Sequence, residues 1–184
     1  MNSRKTIPII HIIGLPGAGK TALARRLSKV LKVPMIRIGY HRARFPQTPI
    51  GEADAWVALF RELSRRRWKN CMLETTGLNC REAFLKAALP FENMFTIKLE
   101  ASRKTLYRRI GKKSKEDQGG QWLYSANYRD KYEFVRKLFK RFRKISADCY
   151  IDTNQLTKTA VYRQAVKEID DLRGRYSLIQ NGPR

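Results

Sequence analysis

Eight consecutive residues, Gly14-Leu15-Pro16-Gly17-Ala18-Gly19-Lys20-Thr21, satisfy G-x-x-x-x-G-K-[ST] at every fixed position. The motif demands a strand before it and a helix after it. Both are present in the pattern of the chain. Residues 7–13 form a nearly continuous apolar and β-branched run, as expected of a strand buried on both faces. After the motif, Leu23, Leu27 and Val30/Leu31 recur on one face of a predicted helix over 21–31. In such a loop Gly17 and Gly19 let the backbone close around phosphate, so that successive N–H groups and the helix amino terminus face the anion. Lys20 then reaches the β- and γ-phosphates, and the Thr21 hydroxyl ligates Mg²⁺. Residues 14–21 therefore predict a bound nucleoside triphosphate, ATP or another, with its metal.

The remainder alternates between strand-like and helix-like segments. Short strands are predicted at 35–38, 71–74, 94–99 and 149–151. In the 94–99 strand, Phe95, Ile97 and Leu99 alternate with Thr96 and Lys98, which predicts one less buried face. Helices are predicted over 52–67, 79–89, from Ser102 onward, over 128–144 and over 156–172, with residues 39–50 as a loop rich in Pro and Arg. The order is that of an α/β fold: a mostly parallel sheet with helices on both faces.

The 184-residue length fits one domain, 1–184, with frayed ends. No apolar run is long enough to cross a bilayer and no signal-peptide pattern begins the chain, so a cytoplasmic protein is expected. Cys71, Cys80 and Cys149 form no CxxC pair, which argues against a disulfide framework or a zinc site. With 39 Lys+Arg against 16 Asp+Glu the net charge is +23, far more than a triphosphate needs. A polyanionic partner such as RNA or DNA would account for that surplus. The segment 128–144 concentrates it, although its aromatics fall at core spacing.

A carboxylate near the metal is the next requirement. Cys71-Met72-Leu73-Glu74-Thr75-Thr76-Gly77 places Glu74 at the carboxyl end of an apolar strand, the edge where open α/β sheets bind ligands. Glu74 is the candidate to hold Mg²⁺ or orient the attacking group, and a strand-end carboxylate paired with a lysine is its structural alternative.

In this order of motifs the chain resembles the small P-loop kinases, the group containing nucleoside monophosphate kinases, shikimate and gluconate kinases and polynucleotide 5′-hydroxyl kinases. The resemblance rests on the P-loop, Leu73-Glu74-Thr75-Thr76-Gly77, the basic helix after Glu100-Ala101-Ser102, and Ile151-Asp152-Thr153 before a final helix. It implies a three-layer P-loop NTPase fold with a five-stranded parallel sheet, and an Arg-rich helical lid at about residues 103–125. Arg103, Arg108, Arg109, Lys112 and Lys113 lie at the matching place, with Arg108 and Arg109 foremost for stabilising the transferred phosphoryl group. It also implies that Asp152 lies near the adenine.

Many such kinases carry an Asp after the second strand as proton acceptor. This chain reads Ile38-Gly39-Tyr40-His41-Arg42, with Gly39 in that place. His41, Glu52 or Asp54 could serve instead, with Arg42 and Arg44 as acceptor-binding cations. His41 is expected at the surface of a basic loop. Two activities follow: an ATP-dependent kinase acting on a hydroxyl or phosphate acceptor, or an ATPase module that regulates attachment to nucleic acid.

Overall fold

The computed structural model describes residues 7–78, 94–116 and 128–180. Strand β1 (Ile9–Gly14) leads through the P-loop into α1 (Lys20–Leu31), then β2 (Met35–Arg37), α2 (Ile38–Arg42), α3 (Pro49–Arg65) and β3 (Met72–Glu74). There follow β4 (Met94–Glu100), α4 (Arg103–Glu116), α5 (Lys131–Arg143), β5 (Cys149–Asp152) and α6 (Lys158–Gln180). The helix predicted over 79–89, Cys80, the part of the expected lid beyond residue 116, and the two ends lie outside the described residues.

The five strands are all parallel, in the order β2-β3-β1-β4-β5. β1 is central and every residue of it is buried, which is why it reads as an unbroken apolar run. Ile10 and Ile12 belong to one core with Leu23, Ala24 and Leu27 of α1 and Val161, Ala165, Ile169 and Leu172 of α6. Ile9 points to the other face, with Ile36, Leu73 and the α3 residues Ala55, Leu59 and Leu63. Each such leucine contributes roughly 1.5–3 kcal/mol through burial, so both helix layers are anchored by a few positions at helical spacing. Cys71 and Cys149 belong to this core, and burial pushes their thiols up to about 12 and about 11.

Three local features differ from the sequence reading. Residues 38–42 form the short helix α2, packed on α3, where residue 38 was expected to end a strand and 39–42 to begin a loop. That packing buries His41, which was expected at the surface, and sets its Nε2 3.3 Å from Glu62. α3 begins earlier than predicted, because Thr48 caps it by accepting from the Gly51 N–H and Pro49 occupies its first turn. Lys98 is fully buried, not on a half-exposed face. Its Nζ donates to the carbonyls of Arg143 at 3.1 Å and Ile145 at 2.9 Å, lies 2.8 Å from Glu100, and faces the Phe142 and Tyr150 rings. A buried ammonium is stable there because the carboxyl end of α5 presents unpaired carbonyls and the negative pole of its dipole.

α4 starts at the expected Ser102, whose hydroxyl accepts from the Thr105 N–H. α5 starts with a reciprocal cap: Asp130 accepts from the Glu133 N–H at 2.8 Å and Glu133 accepts from the Arg129 N–H at 2.7 Å. Among the described residues no helix is long and apolar enough to cross a membrane.

Candidate phosphate-binding site

The P-loop takes its shape from two glycines. Gly17 and Gly19 have φ of +85° and +98°, a region that side chains disfavour, and Gly19 leads directly into α1. Gly17 also lies against α4, where a Cβ would fall 2.8 Å from the Leu106 carbonyl oxygen. Lys20 is buried, and its ammonium donates to the Leu15 carbonyl at 3.2 Å, folded back over the loop that it closes.

Thr21 follows in the first turn of α1, and its hydroxyl donates to Glu74 Oε1 at 2.8 Å. The parallel pairing of β1 with β3 explains that meeting. Ile12 and Glu74 are register partners, so β3 ends level with the P-loop. The hydroxyl and the carboxylate are hard oxygen donors meeting at the first turn of α1, so the pair fits a Mg²⁺ completed by phosphate and water. Among the described residues no three His, Cys, Asp or Glu side chains gather into a metal-binding group, so this pair would not form a cage by itself.

Arg37, which the sequence reading passed over, joins the pair. Its Nε lies 2.8 Å from Glu74 Oε2 and its Nη2 donates to Thr21 Oγ1 at 3.4 Å. Only the register of β2 on β3 brings it there, because Arg37 and Glu74 are Cα partners. On the opposite face, His11 Nε2 is 2.8 Å from Thr75 Oγ1, which also accepts from the Gly77 N–H at 3.0 Å and so shapes the chain after Glu74. Burial lowers the His11 pKa to about 3, leaving the ring neutral.

Arg109 reaches the P-loop from α4. Its Nη1 donates to Thr153 Oγ1 at 3.0 Å and to the Gly17 carbonyl at 3.5 Å, and its Nη2 donates to the Thr153 carbonyl. Burial and the neighbouring Arg108 lower its pKa, against the pull of Asp152. Arg108 itself is exposed. Asp152 ends β5 and accepts from the Asn154 N–H. A cavity of about 580 Å³ opens beside the P-loop, with Leu15, Leu99, Arg103, Phe139, Asp152 and Asn154 in its wall.

The remaining candidates occupy the α2–α3 side. Arg42 pairs through both Nε and Nη2 with Glu52, which also accepts from the Trp56 indole at 3.0 Å. The pair ties α2 to α3. Arg44 and Asp54 are exposed. Gly39 lies in α2, and a Cβ there would meet no atom within 4 Å.

No protein-family model matches the chain, and no curated protein matches it in sequence. Solved structures do match in shape. A gluconokinase from Sinorhizobium meliloti 1021 superposes with a TM-score of 0.66 at 13% identity, covering 95% of this chain and 97% of that one. Shikimate kinase from Acinetobacter baumannii, in complex with shikimate, gives 0.62 at 19%, covering 92% and 94%. The Mycobacterium tuberculosis APS kinase in complex with AMPPNP and APS gives 0.58 at 13%, covering 91% and 98%. The chain thus has the fold of the small P-loop kinases over nearly its whole length.

Proposed function

We propose that this chain is an ATP-dependent phosphotransferase that moves the γ-phosphoryl group of a nucleoside triphosphate to a hydroxyl or phosphate on an acceptor. The observation that carries the proposal is the meeting of Thr21 with Glu74, 2.8 Å apart at the mouth of a complete P-loop. The likeness in fold to gluconate, shikimate and APS kinases supports the same reading.

The amides of residues 14–21 and the amino terminus of α1 bind and orient the triphosphate, and Lys20 turns from the Leu15 carbonyl onto the phosphates. Thr21 and Glu74 hold the Mg²⁺, which when bound neutralises the triphosphate and orients its terminal group for in-line transfer. Arg109 fixes the loop against the turn after β5, near Asp152, where the nucleoside is proposed to lie. The cavity there falls within the about 300–1,000 Å³ usual for small-molecule sites. Arg108, exposed on the same helix, is the cation available to a developing phosphoryl charge when the lid closes.

On the acceptor side, Arg44 is proposed to contact an anionic group, with Arg42 holding α2 in place through Glu52. Asp54 is the proposed proton acceptor. A weak base suffices where transfer is largely dissociative, because positioning and charge stabilisation do most of the catalysis.

One observation favours a second reading. The end of β2 carries Arg37 and the next helix carries Gly39, so no carboxylate stands in the usual place of the base. An ATPase that regulates attachment to nucleic acid needs no acceptor base, and the exposed Lys140, Arg141, Arg143 and Lys144 would suit a polyanion. Labelled ATP incubated with separate pools of small hydroxylated acids, nucleotides and RNA or DNA separates the two. Label transferred to an acceptor, and lost in Lys20→Ala, supports the kinase. Free phosphate released only with nucleic acid supports the ATPase.

A further inference from the structure

Arg37 is a cation built into the place where a P-loop protein recruits one from solution. It ends β2 as the register partner of Glu74, and register partners in parallel strands project to the same face. The two side chains therefore lie side by side under the first turn of α1. A single guanidinium touches both oxygen-bearing side chains that fit the metal, at 2.8 Å from Glu74 Oε2 and 3.4 Å from Thr21 Oγ1. Its other side rests on the Tyr40 ring, 4.6 Å from the centroid, which holds it in place.

The contact with Glu74 is an ion pair, 2.8 Å between Nε and Oε2. Arg37 Nε and Glu74 Oε2 are both buried, and neither has a hydrogen-bond partner of good geometry. The attraction is largely Coulombic, and to turn toward another anion the guanidinium gives up only the long hydrogen bond from Nη2 to Thr21 Oγ1, at 3.4 Å. Burial opposes the charge, but Glu74 and Tyr40 outweigh it and hold the Arg37 pKa above its ordinary value.

We infer that Arg37 is a resident cation of the nucleotide site, one that competes with Mg²⁺ for Glu74 and supplies positive charge to the triphosphate, so that nucleotide binding depends only weakly on Mg²⁺. A divalent ion and a guanidinium sharing one carboxylate repel each other where little water screens them. The tethered group has the advantage of permanent proximity, and its fork of donors matches phosphate oxygens. The inference rests on the proposed nucleotide site but concerns binding, not transfer.

Calorimetric titration of ATP into the full chain, in Mg²⁺ and separately in EDTA, tests it. For the unsubstituted protein the two dissociation constants should differ by less than about threefold, against about tenfold or more in Arg37→Met, a factor of ten being about 1.4 kcal/mol. A tenfold preference for Mg²⁺ in the unsubstituted protein, or the same ratio in both proteins, overturns the inference while leaving the nucleotide site intact. Should Arg37→Met not fold, the ratio in the unsubstituted protein decides alone. Failure of that protein to bind ATP in either buffer removes the proposed function and this inference with it.

Discussion

His11 Nε2 lies 2.8 Å from Thr75 Oγ1, joining the central strand to the turn that follows Glu74. Burial lowers the pKa of this ring to about 3, whereas the unfolded chain takes up the proton near 6.5. The unfolded state therefore binds more protons between those values, and stability is lost as pH falls from about 6.5 toward 3. The slope from this group approaches about 1.4 kcal/mol per pH unit. Urea unfolding of the unsubstituted protein and His11→Gln between pH 7.5 and 5 should show a shallower decline in the variant. Parallel profiles would rule out a neutral buried ring.

The two P-loop glycines separate backbone strain from crowding. A side chain at either meets an unfavourable φ, worth roughly 1–2 kcal/mol. Only at Gly17 does a Cβ also press on a carbonyl oxygen, that of Leu106 at 2.8 Å, whereas at Gly19 it meets nothing within 4 Å. Gly17→Ala should thus be the more destabilising in denaturant titrations, and equal losses would remove the contact with α4 from the account.

Arg109 and Arg108 are adjacent in sequence and differ in task. Arg109→Ala releases the tie between Gly17 and Thr153 and should raise the KM for ATP about tenfold, equivalent to about 1.4 kcal/mol. Arg108→Ala leaves that tie in place and should lower kcat with little change in KM. Steady-state kinetics on the acceptor identified with labelled ATP distinguish them, and a purely KM effect for Arg108→Ala would exclude it from the transfer step.

Lys98 sets two physical effects against each other. Replacing a buried charge with an apolar side chain can stabilise, but Lys98→Met strips the Arg143 and Ile145 carbonyls of their donor. Each unsatisfied carbonyl costs about 1–3 kcal/mol, while Glu100, at 38% exposure, can turn to water. Net destabilisation is expected in urea unfolding. A more stable variant would mean that desolvation of the ammonium dominates.

Much of this molecule was legible in its sequence because the signals are local. The P-loop pattern, the β-branched run before it, and the spacing of Val161, Ala165, Ile169 and Leu172 each report on a single element. The same holds for Ser102, which caps the helix that it precedes. Glu74 was legible too, as a charge ending an apolar strand. What depended on pairing between distant strands was not. Arg37 looks like any cation after a short strand until β2 is laid beside β3 in register with Glu74. Lys98 looks half-exposed until the carboxyl end of α5 covers it, and His41 looks like a loop residue until α2 packs on α3. The sequence determined that a glycine-rich loop would join β1 to α1, with Lys20 and Thr21 opening that helix. Only the tertiary structure decided which cation meets the carboxylate beside that loop, because strand register and helix docking are collective outcomes of burying the whole sheet.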